Sequence, residues 1–386
     1  MVKEITKKNW VSNFSLIGTP KINDFTYKID EQSEKSAWIY NSLNLGIDCG
    51  EKFGVVYCDL MGGYSDEREN VIYAHGKNDD GTDNWEDQIQ VAWEDRFDLD
   101  ILKTIGDASF LTVGLEKTEK GKTFMKKFLS AYDAIAYIQE HLTEDMVVNV
   151  RGTIKYSEYQ GNTQVHKTIN RIILSKVDDP ANYAARFTQT ILINSDSVSL
   201  KNIDKDKGVV YINAKVLDYL KEKNGVEIKS QYPYDMQFEF RYPAMTEKMI
   251  KGIHEKLFKV KRGWTQITLE GELIEGGAVV TATWDDVPQD IKDLVELNIF
   301  TKEQAIQKCS ENGAREQRMV FIAPYTRKNE ETGMPEIQKF PERYKDEELI
   351  LDIGNDVEDE DDDEDIDDSN TESSDAGNME WLKDLQ

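Results

Sequence analysis

Between Val148 and Tyr159 the chain reads VNVRGTIKYSEY, in which small and β-branched residues alternate with polar ones. A period of two places Val148, Val150, Gly152 and Ile154 on the core face of a strand. Asn149, Arg151, Thr153 and Lys155 then take the other face. Two cations on an outward face can follow a phosphate backbone, and aromatics at the strand's end can stack on bases. Tyr156 and Tyr159 stand at that end, before the turn-type linker Gln160-Gly161-Asn162. The same residue types are more often an ordinary solvated face with a tyrosine packed on a hairpin, and parity alone favours that reading.

Other candidates for the same chemistry are scattered. Lys167 lies on the returning strand. KTEKGKTFMKKF holds five lysines, and Lys259, Lys261 and Arg262 precede Trp264. Tyr57 in VVYCDL and Trp93 in VAWEDRF are each a candidate stacking aromatic of a third strand, or a core residue. Basic clusters of this kind usually serve only as soluble surface.

Signals for catalysis are poor. GLEKTEKGKT lacks the first glycine of a phosphate loop, because position 116 is Glu116. His75, His141, His166 and His254 fall into no metal spacing with each other or with the cysteines. NIDKDKGVVYI begins like a calcium loop, but its glycine is misplaced and the closing Glu is absent. No enzyme active site and no cofactor are expected.

The elements that must position these residues are mostly strands. FSLIGTPKI predicts a strand ending in a turn at Gly18-Thr19-Pro20, and AWIYNSLNLGI and FGVVYCDLM predict a hairpin across DCGEK. NVIYAHGK and QIQVAWEDRF add two strands. SAYDAIAYIQEHL then has helical period, with Ala131, Ile135, Ile138 and Leu142 on one face. Helix followed by strand recurs in TEKMIKGIHEKLF, with Met249, Ile253 and Leu257 on one face, and TQITLEGELI. A helical insert is expected near PQDIKDLVELNIFTKEQAIQKC. Three strands, a helix and two strands is the order of the OB fold, a small Greek-key barrel. The chain is therefore read as mainly β with a few helices: an OB-like domain over 1–177, a second over 186–345, and a tail over 346–386. Asp178-Asp179-Pro180 supplies the turn chemistry between the two domains. A single larger β-sandwich with inserted helices is the competitor.

Residues 131–176 carry a resemblance. The amphipathic helix leads into a strand with Val148, Val150, Gly152 and Ile154. Lys155 and Tyr159, a loop at Gly161, and the strand Gln164 to Lys176 follow. This pattern resembles the helix and last two strands of bacterial and phage single-stranded DNA-binding proteins. The resemblance covers about 45 residues well and the second half less closely. With it, DNA contact is expected from Arg151, Lys155, Tyr156 and Tyr159, and the weaker candidates for the same contact are Lys167, Tyr57, Trp93 and the cluster of Lys261, Arg262 and Trp264.

Charge is unevenly spread. The formal net charge is −27, and from Asp346 onward nineteen acids face one lysine, so the preceding 345 residues carry only −9. Eleven of the thirteen residues from Asp356 to Asp368 are acidic. Such a run cannot bury enough apolar surface to fold, and is expected to be a disordered, self-repelling arm. Met379, Trp381, Leu382 and Leu385 follow a polar spacer and read as a docking tip for a protein partner, since solubility gains nothing from an exposed tryptophan. The resemblance extends to this acidic segment with an apolar tip.

Three widely spaced cysteines fit a reducing compartment, and no apolar run reaches the ~18 residues of a membrane span. The first residues lack a secretory apolar region. A soluble, cytoplasmic protein is expected (in the host cell, if phage-encoded). The leading expectation is a non-enzymatic, sequence-tolerant single-stranded DNA-binding protein that serves DNA replication or recombination, of a phage as its resemblance implies. Its tail would compete with DNA and dock partner proteins. An acidic-tailed interaction protein or chaperone that shields basic partners is the alternative. A metal-dependent nuclease finds no support in the residue spacing.

Overall fold

The computed structural model describes residues 5–201, 208–223, 225–241, 246–275, 287, 289, 292, 295, 301–302 and 317–350. The acidic run, its tip at Met379, Trp381, Leu382 and Leu385, and most of the expected helical insert lie outside these residues.

The first half builds β1 (Ser12–Lys21), β2 (Tyr27–Gln32), β3 (Trp38–Asp48), β4 (Val55–Ser65), β5 (Val71–Lys77) and β6 (Asp83–Ala92). These are followed by α1 (Leu99–Thr104), β7 (Leu111–Lys117), β8 (Thr123–Phe128), α2 (Ala131–His141), β9 (Val148–Tyr159) and β10 (Asn162–Leu174). Five strands close into a ring: β1 pairs with β3, β3 with β4, β4 with β10, β10 with β9, and β9 with β1. The β4–β10 contact is parallel and the others are antiparallel. Leu16, Leu45, Ile47, Val56, Val150 and Ile154 fill the ring. The helix expected between the third and fourth barrel strands is α2, capped by the Ser130 hydroxyl, which accepts from the Tyr132 N–H.

The turn expected at Gly18-Thr19-Pro20 does not form. There β1 changes partner, leaving β9 after Gly18 and pairing with β3 from Thr19. A Cβ on Gly18 would lie 2.0 Å from the Asp48 carbonyl oxygen, so this crossover needs glycine. Between β4 and α2 the chain makes two excursions. The β5–β6 hairpin and α1 enclose a small core of Ala74, Val91, Ile105 and Phe110. The lysine-rich KTEKGKTFMKKF is largely a second hairpin, β7–β8, turning at Gly121 with φ of 72°.

The second half builds β11 (Ala184–Ile193), β12 (Val209–Lys223), β13 (Val226–Arg241), α3 (Glu247–Ile253), β14 (Trp264–Glu275) and β15 (Gln317–Pro324). The same closure recurs: β11 with β12, β12 with β13, β13 parallel to β15, β15 with β14, and β14 with β11. These are two OB-type barrels, and ring closure excludes a single sandwich. β16 (Thr326–Lys328), β17 (Pro335–Ile337), β18 (Lys339–Tyr344) and α4 (Asp346–Leu349) complete the described chain, with β18 pairing to β14. One residue of the apolar face predicted for α3 is corrected: Met249 is 51% exposed and Ile250 is buried in its place, while Leu257 is buried and Ile253 packs against the core.

The barrels share one sheet. Their first strands, β1 and β11, pair antiparallel from Ser12–Gln189 to Ile17–Ala184. One continuous apolar core runs through both rings, and the described residues form one compact unit. Cys49 and Cys58 are buried free thiols.

Candidate nucleic-acid interface

The β9–β10 hairpin turns at Gln160 and Gly161, whose φ values of 49° and 77° are those of a two-residue turn matched to strand twist. It holds Arg151, Lys155 and Tyr159 on the outward face of β9, all exposed, with the Tyr159 ring 46% exposed at the hairpin end. On β10, Arg171 stands directly opposite Arg151, and His166 opposite Lys155. Asn170 is an extra residue in a bulge between Ile169 and Arg171, and this bulge turns Arg171 outward beside Arg151. The Arg151 Nε donates to Asn149 Oδ1 at 2.9 Å. Among the described residues, Arg151, Lys155 and Arg171 have no carboxylate partner within ion-pair distance.

The neighbouring strand contributes Tyr57 and Asp59. The half-buried Tyr57 ring lies against the bare backbone of Gly46, where a Cβ would meet it at 3.2 Å. The Thr168 hydroxyl donates to Asp59 Oδ1 at 3.3 Å where β4 meets β10. Burial raises the Asp59 carboxyl above its ordinary range, against the Thr168 hydrogen bond and the Lys167 and Lys155 charges. Burial holds His166 below the usual imidazole range, and Lys167 acts in the same direction. The face thus carries Arg151, Lys155 and Arg171 with one carboxylate, Asp59, at its rim.

Three of the residues implicated by sequence are not on this face. Tyr156 continues the inward parity of Ile154 and is buried, its hydroxyl donating to Gln189 Oε1 at 2.9 Å. Lys167 is 3% exposed and ion-paired with Glu275 at 2.5 Å. Glu275 also accepts from the Tyr57 N–H and from Gln317 Nε2, so this cation locks the second barrel to the first. Trp264 is buried beside Leu192, Leu217 and Tyr344, and its Nε1 donates to Asp346 Oδ1 at 2.7 Å.

Others lie apart from the hairpin. Trp93 follows β6 in a short turn, packed on Tyr64 at 5.1 Å between ring centres with the Arg96 guanidinium 4.1 Å above it. Arg96 bonds Asp133 of α2, so this cluster fastens the excursion to the helix. Lys261 and Arg262 are exposed ahead of β14, whose first residue, Trp264, lies about 26 Å along the strand from Glu272, where it passes Arg186. Arg171 was missed by sequence reading. Its only signal is the double polar step Asn170-Arg171, which breaks the alternation of β10.

Charge separation favours this face. Residues 66–110 hold thirteen acids against four bases, a net −9 that equals the whole excess of residues 1–345. The remainder of the two barrels is therefore balanced. Among the described residues, no three His, Cys, Asp or Glu side chains converge as metal ligands would, and no helix is long and apolar enough to cross a membrane.

Strand closure defines the chain as a tandem OB-barrel protein. The family model described as YorF matches residues 78–283, more than half of the chain, and the chain belongs to that family. Two solved structures are similar to it at low TM-score. Wild-type single-stranded DNA-binding protein from Thermus aquaticus is 8% identical with a TM-score of 0.30, covering 70% of this chain and 87% of that one. A deletion mutant of the same protein is 9% identical with a TM-score of 0.30, covering 69% and 88%. No curated protein matches.

Proposed function

We propose that this chain is a non-enzymatic, sequence-tolerant single-stranded DNA-binding protein. The observation that carries the reading is the β9–β10 hairpin: Arg151, Arg171 and Lys155 face outward without carboxylate partners, in line with an exposed ring at Tyr159. Cations would follow the phosphates and the ring would stack on a base, a combination that tolerates any sequence and weakens as salt rises. The resemblance of residues 131–176 to phage and bacterial single-stranded DNA-binding proteins supports a role in phage DNA replication or recombination, in the host cytoplasm. The run Asp356–Asp368 would compete with DNA for the cationic face, and Met379, Trp381, Leu382 and Leu385 would dock a replication or recombination protein.

Fluorescence anisotropy with a labelled oligothymidylate, repeated at rising salt, tests the reading. Saturable binding whose affinity falls as salt rises is the expected result. Absence of saturable binding at low salt overturns it. Release of nucleotides from the strand in magnesium or manganese would replace it with a nuclease.

A further inference from the structure

The cationic line does not stop at the edge of the first barrel. Ser15 of β1 stands opposite Arg151 of β9 on one side and opposite Arg186 of β11 on the other. Directly paired residues of antiparallel strands project from the same face. Arg171, Arg151, Ser15 and Arg186 therefore form one row running across β10, β9, β1 and β11. Three strand spacings make it about 14 Å long. The three arginines are exposed and the serine between them is half-buried and small.

This row lacks the neutralisation such a line needs. Arg171 and Arg151 are like charges set directly opposite each other, an arrangement that costs stability in a sheet. The next residue along the row, Glu272, lies opposite Arg186, but its carboxylate is held by Lys52 Nζ at 2.5 Å. Neither the Arg171 nor the Arg186 side chain has a hydrogen bond or ion pair among the described residues. A second copy of the chain would not relieve the repulsion, since a two-fold contact over this face would set arginine rows against each other. Guanidinium forks match phosphate oxygens two at a time.

We propose that Arg171, Arg151 and Arg186 form a phosphate track that carries one continuous single strand over the β1–β11 seam, from the first barrel onto the second. The proposal rests on the DNA-binding reading above and adds its path. Because the row lies perpendicular to the strands, the nucleic acid backbone crosses them. Arg186 is then the contact at which the strand leaves the first barrel for the second.

The test uses the full chain and an oligothymidylate of about 32 nucleotides, longer than a single barrel's site. Arg186→Ala should weaken its binding and flatten log affinity against log salt by about 0.7. Arg186→Lys should keep the salt slope. If the wild-type chain does not bind the strand, the DNA-binding reading itself fails. If it binds and Arg186→Ala leaves both affinity and salt slope unchanged, the seam path fails while that reading stands. Tighter binding by Arg186→Ala would mean that the acidic run occupies the row, and would also overturn the path. So would a change in oligomeric mass with DNA affinity intact.

Discussion

Phe14 and Phe187 face each other in register across the β1–β11 seam, and each lies opposite a glycine in its own barrel, Phe14 with Gly152 and Phe187 with Gly271. The two rings are thus related by a local pseudo-two-fold that passes through the phenylalanine pair. In both barrels the glycine leaves room for the ring, and its neighbour closes the site from the fifth strand. A Cβ on Gly152 would lie 1.9 Å from the Thr168 carbonyl oxygen, and one on Gly271 would lie 2.2 Å from the Val320 carbonyl oxygen and 2.3 Å from the Phe187 ring.

Backbone carbonyls cannot step aside as a flexible side chain can. Gly152→Ala and Gly271→Ala should therefore each lower stability by about 1–3 kcal/mol or more. Chemical denaturation measures this directly. A wild-type midpoint in either variant would show that the seam relaxes freely.

The Lys167–Glu275 pair should behave as a buried ion pair does. Glu275→Ala leaves an ammonium uncompensated in the interior and should cost about 3–5 kcal/mol. Replacing both partners, Lys167→Met with Glu275→Leu, should recover much of that loss. Equal destabilisation by the single and double variants would mean that Glu275 acts only through its bonds to the Tyr57 N–H and Gln317.

Tyr159 and Tyr156, three residues apart, should give opposite results. Tyr159→Ala should weaken single-stranded DNA binding by about 1–3 kcal/mol without changing the melting temperature. Tyr156→Ala removes a buried ring and should cost about 3–5 kcal/mol of stability. Paired melting curves and binding isotherms separate the two roles. A melting loss at Tyr159 with binding intact would make that ring structural.

His166 gives the protein a pH dependence on the acid side. Burial first, then the Lys167 charge, depress its folded-state pKa, against the opposing pull of Asp218. Below about pH 6.5 the unfolded chain takes up a proton that the folded one refuses, so stability rises with pH through this window and falls as pH drops. The ring nitrogen Nε2 lies 2.8 Å from the Ser157 hydroxyl. His166→Gln keeps a polar group there without the titration, and should flatten the fall in melting temperature between about pH 6.5 and 5. An unchanged pH profile would assign that fall to another group.

Much of the architecture is local information and was legible. Alternation within β3, β4, β9 and β14, the helical period of α2, and the recurrence of helix followed by strand all follow from residues close in sequence, whereas β11, the first strand of the second barrel, was not among the expected strands. The outward placement of Arg151 and Lys155 follows from the same period of two. The same parity, carried two residues further, puts Tyr156 in the core; reading it as a rim aromatic overrode the pattern. The polyanionic composition of the last segment is likewise a property of sequence alone.

What only the tertiary structure decided is which residues face one another across strands. Lys167 reads as a surface cation until Glu275 arrives from the other half of the chain, and Trp264 reads as exposed until Asp346 bonds its indole. Gly18-Thr19-Pro20 has turn composition, but β1 must pass through it to exchange β9 for β3. Arg171 and Arg186 carry no motif, and join Arg151 in one row only because β10, β9, β1 and β11 lie side by side in that register. Periodicity fixes the face a side chain takes within its own strand. Register between strands is set by long-range packing, here a phenylalanine against a glycine on each side of the seam, and no local pattern encodes it.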